Sequence, residues 1–144
     1  MTMAEIEYRT PNGLHDAYLL GFAVDNGDAT LRLEIDWLVE TLDSEAQSQR
    51  PGWKRGTLLI EGLQYFVIGP PRNGLTKFDD YSPDQVHGSK TSNEEIKVNG
   101  LPDVTDDAFR HTLYLGYWEP FIHFAGTSAT VSPADLIVRE MSAG

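Results

Sequence analysis

The chain has 144 residues, a formal net charge of −11 and no cysteine. That length fits one domain with a core of its own, and 40% apolar residues exclude a disordered chain. The missing thiols exclude disulfides, cysteine nucleophiles and cysteine-based zinc sites, and the acidity argues against nucleic acid, whose binding neutralises phosphates with Lys and Arg.

The opening "MTMAEIEYRT" lacks the basic start and apolar stretch of a signal peptide, and no apolar run approaches the ~18 residues of a membrane span. A cytoplasmic location is therefore expected. The charge is uneven. Residues 1–48 hold ten acids and two bases, 49–77 hold five bases and one acid, and 78–107 hold eight acids and two bases.

"AYLLGFAVDNGDATLRLEIDWL" predicts a β-hairpin. Asn26-Gly27 at the centre of a type I′ turn would pair Phe22 with Leu31, Leu20 with Leu33 and Tyr18 with Ile35 on an apolar face. In that register Asp16 points to the core opposite Trp37, and His15 points away. A buried carboxylate needs donors, so Asp16 reads first as a structural pin.

Residues 40–56 read as a polar loop around Pro51-Gly52, with room for one helical turn, and with Trp53 exposed between Pro51-Gly52 and two bases. "TLLIEGLQYFVIG", 57–69, is strand-like. Gly62 interrupts it, which predicts a bulge or a sharp bend, with one strand crossing from one sheet edge to another. Residues 70–94 show no periodicity and read as a long loop. "EEIKVNG" reads as a short strand ending in a second Asn-Gly turn, and 102–111 as a short helix capped by Thr105. "TLYLGYWEPFIHF" alternates as strand, with Pro120 at an edge or bend. "GTSATVS" reads as turn and strand, and "LIVRE" as a last strand.

The stretch "NGLHDAYLLGFAVDNGDATLRLEID" resembles the start of several small bacterial families of unknown function, which open with a strand bearing His-Asp-Ala, here His15-Asp16-Ala17. Some of these look like immunity proteins of polymorphic toxin systems. The resemblance spans about residues 12–68 and implies a β-rich fold and a binding role without catalysis.

The expected fold is mainly β: antiparallel sheet forming a sandwich or partly open barrel, with one or two short helices, in one domain over 1–144. The expected function is an acidic binding protein, an inhibitor or immunity-type protein for a basic partner. The alternative is a small-ligand carrier or enzyme with an aromatic-lined pocket around Asp16, Glu61 and His123. Candidate binding or pocket residues are Asp16, Trp37, Trp53, Glu61, Trp118 and His123. Glu61 reads first as a solvent-facing strand residue, and His123 as a half-exposed histidine. No catalytic residue, cofactor or metal is expected. No local spacing makes a metal site from the four histidines; one assembled in space, as by His15, Asp36 and His123, is the alternative. Pairing of an exposed edge strand would give a homodimer.

Overall fold

The computed structural model describes residues 1–15, 17–38, 52–69, 84–115 and 121–140. Asp16 and Trp118 lie outside the described residues, as do Pro120, most of the 40–56 segment and 70–83. Among the described residues eight strands form one antiparallel sheet: β1 (Ala17–Asp25), β2 (Thr30–Leu38), β3 (Trp53–Glu61), β4 (Tyr65–Ile68), β5 (Asp84–Lys90), β6 (Phe109–Leu115), β7 (Phe121–Gly126) and β8 (Ser128–Ser132). The order is β4-β7-β6-β5-β1-β2-β3-β8, so β4 and β8 are edges and the sheet is not a closed barrel.

The sheet folds over at one corner. β3 runs into β4 through Gly62, and β7 runs into β8 through Thr127; β3 pairs with β8, and β4 with β7. Gly62 has φ +62°, and a Cβ there would lie 2.1 Å from the Thr127 hydroxyl, so only glycine permits the turn. The Thr127 N–H donates to the Glu61 carbonyl at 2.9 Å and locks the two bends together. The break expected at Gly62 is present as a bend, but it leads from β3, which is paired on both sides, to the edge strand β4, so the expected passage from one sheet edge to another is not what the chain makes. Phe22 of β1 then meets Phe66 of β4 across the core, ring centroids 5.4 Å apart. Leu31, Leu33, Ile35, Leu58, Ile60, Leu113, Ile122 and Phe124 are all fully buried between the folded halves.

Several expected details are corrected. The β1–β2 connection has four residues, 26–29, and Phe22 pairs with Leu33, not Leu31. The Asp25 carboxylate accepts from the N–H groups of Gly27 (2.9 Å) and Asp28 (3.1 Å), and Ala29 takes φ +53°, so a wider turn replaces the two-residue one. A two-residue shift keeps each side chain on its face. A bulge between Leu19 and Gly21 does not: below it Leu19 and Ala17 are buried and Tyr18, paired with Asp36, is half-exposed.

Residues 84–90, read as loop, are β5 in mid-sheet. "EEIKVNG", read as a strand, lies in helix α2 (Asn93–Asn99) and its cap. Ser92 and Glu95 form a reciprocal capping box, and Gly100 ends the helix in the left-handed region at φ +59°. The 102–111 segment is a turn leading into β6, not a helix; Thr105 bonds Gln64 and Asp107 instead of capping. "LIVRE" is not a strand: a 3-10 turn (Ala134–Leu136) is followed by chain that donates from Val138 and Arg139 N–H to the Arg9 carbonyl.

A helix also stands at the start, α1 (Met3–Arg9). Thr2 caps it, and Met3 and Ile6, one turn apart, are fully buried in the core. No described helix is long and apolar enough to cross a membrane.

Candidate functional site

Two ends of the molecule gather chemistry. The first is a cleft of about 270 Å³ between α1, the turn at 10–15, β5 and the C-terminal segment. Glu7, Asn12, Gly13, Leu14, His15, His87, Gly88 and Arg139 line it. Its turn is tightly specified. Asn12 (φ +56°) and Gly13 (φ +55°) are both left-handed, and a Cβ on Gly13 would lie 2.8 Å from the Glu7 carbonyl. The Asn12 amide donates to the Leu38 carbonyl at 2.7 Å. The turn therefore packs onto α1 and is tied to the end of β2, with His15 projecting into the cleft.

β5 supplies the facing wall. His87 lies opposite His15, their Nδ1 atoms 3.5 Å apart and the rings edge to face. Behind them Glu7 Oε1 bonds Nε2 of buried His111 at 3.1 Å. Gly88 makes that bond possible: a Cβ there would stand 2.1 Å from Glu7 Oε1 and 3.0 Å from His111 Nε2.

The second end is acidic. Three segments distant in sequence converge there: the β1–β2 turn, the β3–β4 corner and residues 103–107. The Leu63 N–H donates to the Ala29 carbonyl at 2.9 Å, and the Thr105 N–H to the Gln64 side chain at 3.0 Å. Asp25, Asp28, Glu61, Asp103, Asp106 and Asp107 are all exposed on these segments. A depression of about 350 Å³ lies beside them, lined by Val24, Asp25, Asn26, Ala29, Leu63, Gln64, Tyr65 and Phe66.

The residues singled out in the sequence are dispersed. Trp37 is fully buried on β2, its indole N–H without a hydrogen-bond partner among the described residues. Trp53 is a half-buried strand residue, not an exposed loop anchor, and its ring lies 5.2 Å from that of Tyr18. Glu61 is exposed at the end of β3, the solvent-facing placement its sequence neighbours implied. His123 is 2% exposed, against the half-exposed position expected.

The reason for that burial is that both faces of β7 are covered. His123 Nδ1 and the Thr112 hydroxyl are 2.8 Å apart, and the Thr112 and Thr91 hydroxyls 2.7 Å. Burial pushes the His123 imidazole below its ordinary value, against the opposing attraction of Glu95. Burial alone would raise the Glu95 carboxyl. Hydrogen bonds from the Ser92 backbone and hydroxyl and from the Tyr114 hydroxyl, with the pull of His123, outweigh it and hold the group below the ordinary value.

Glu61 and His123 line neither the cleft nor the acidic depression. Nor do His15, Asp36 and His123 form a metal site, since among the described residues no three His, Asp or Glu side chains converge on one point. His87, His111 and Glu7 were absent from the sequence-based candidates. No local spacing could have revealed them: His15 and His87 are 72 residues apart, and Glu7 and His111 are 104 apart.

No protein-family model and no curated protein matches the chain. Among solved structures it is similar to an uncharacterized protein from Neisseria gonorrhoeae, at 9% identity over 83% of this chain and 92% of that one, with a TM-score of 0.40.

Proposed function

We propose that this chain is a cytoplasmic binding protein that docks a basic protein partner on its acidic end and inhibits it, in the manner of an immunity protein. The observation that supports this reading is the convergence of Asp25, Asp28, Glu61, Asp103, Asp106 and Asp107 from three separate segments beside one depression. Backbone and side-chain hydrogen bonds hold those segments in place, so the charges are preorganised. Carboxylates held in one patch attract a cationic surface from a distance and speed encounter. The neighbouring depression, with Leu63, Tyr65 and Phe66 in its wall, offers a seat for an anchor side chain of the partner.

The test is capture from a lysate of the source cells, read by mass spectrometry, at low salt and at about 0.15 M ionic strength. The bait is compared with a variant carrying Asp25→Asn, Asp28→Asn, Asp106→Asn and Asp107→Asn. A basic protein recovered in stoichiometric amount by the parent, more strongly at low salt, and lost by the variant is the expected result. Empty bait at both salts, or equal recovery by the variant, would overturn the reading.

A further inference from the structure

The histidine cleft carries a second, independent inference. The His15 and His87 Nδ1 atoms are 3.5 Å apart, at the outer limit of a hydrogen bond. The same spacing suits two ligands of one tetrahedral metal ion. With metal–nitrogen bonds of about 2.1 Å, a 3.5 Å separation subtends ~113° at the metal, close to the tetrahedral angle. Both rings are exposed, so an ion can enter without unpacking the core. Both also stand on defined backbone: His15 follows the left-handed Asn12-Gly13 turn, and His87 sits on β5 opposite Tyr114 of β6.

We propose that His15 and His87 bind one transition-metal dication of the zinc, nickel and copper class through their Nδ1 atoms. Neutral imidazole is a favoured ligand for these metals. Among the described residues no third His, Asp or Glu converges with the pair. Glu7 and Arg139 line the same cleft, and Arg139 offers a counter-charge to an anionic ligand of the metal. His111 takes no part, since its Nε2 is engaged by Glu7.

The test titrates the full chain, free of any affinity tag, with Cu²⁺ and with Zn²⁺ by calorimetry. One ion per chain is expected, with Cu²⁺ bound more tightly than Zn²⁺. Altering a residue that merely orients a metal ligand typically costs about 10–100-fold in affinity, so His15→Gln and His87→Gln should each cost at least about tenfold. Both positions are exposed, and far-ultraviolet circular dichroism should confirm that the variants stay folded. Nitrogen-15 NMR of the imidazoles provides a second readout: substoichiometric Zn²⁺ should move His15 and His87 and leave His111 and His123 in place. Absence of binding, unchanged affinity in either variant, or movement of His111 or His123 with the cleft pair silent would overturn the proposal.

Discussion

The two α-helices have the same length and similar N-caps, yet they are held by different forces. Each spans seven residues, α1 starting after Thr2 and α2 after Ser92. Met3 and Ile6 of α1 are fully buried, whereas α2 buries no residue completely. A helix this short is unstable alone in water, so each needs outside support. α1 finds it in the core and in the Glu7–His111 contact. α2 relies on its capping box, on Gly100, and on the bond from the Tyr114 hydroxyl to Glu95. One is a plug; the other is a cover laid over the polar side of β6 and β7.

Substitutions can break or sharpen this contrast. The largest loss is expected from Ile6→Ala, about 2–5 kcal/mol by denaturant melting, because α1 cannot refill the core around it. Gly88→Ala should follow. Its Cβ would displace Glu7 and leave buried His111 unpartnered on that side, a loss of about 1–3 kcal/mol with a shifted His111 imidazole resonance. Ser92→Ala removes the cap that α2 depends on and should cost about 1 kcal/mol. A loss from Ser92→Ala as great as that from Ile6→Ala would erase the distinction.

A pH series sharpens it further. The folded His123 binds its proton less readily than the unfolded chain does, so its contribution is complete above 6.5, the ordinary histidine value. It is lost as pH falls below that value through the lowered one. Glu95 adds a second loss in the same direction below 4.5, its ordinary value. His123→Gln should flatten the upper part of this slope and, by removing the pull of His123 on Glu95, weaken the lower part without abolishing it. The smallest effect belongs to Val98→Ser on α2, within about 0.5 kcal/mol, because Val98 is 73% exposed.

The same contrast explains what could be read from sequence. Alternation over 17–38 and over 112–124 pointed to the mainly β fold, because half-buried strands enforce a period of two. The break at Gly62 was also legible, since a glycine in mid-strand marks a bulge or a bend, but which of the two was not. The hairpin register was not: Asn26-Gly27 is the usual signal for a tight turn, and nothing local announces that Asp25 will cap a wider one. α2 carried its signals openly, Ser92 with Glu95 and then Gly100, but "IKV" pulled the reading toward a strand. α1 holds two core residues in seven positions, too little pattern for its tertiary role to show. Of the cleft, only His15 drew notice, because its companions arrive from α1 and β5.

Residues 1–10 also set an order of events during synthesis. The Ala129 N–H donates to the Met1 carbonyl, and the Arg9 carbonyl accepts from Val138 and Arg139. This segment is thus fastened by residues made well over a hundred positions later. At about 5–20 residues per second, ribosomal elongation leaves α1 without those fasteners for on the order of ten seconds. Through that interval the apolar stripe of Met3 and Ile6 has no completed sheet to enter, and a nascent-chain chaperone would find it accessible.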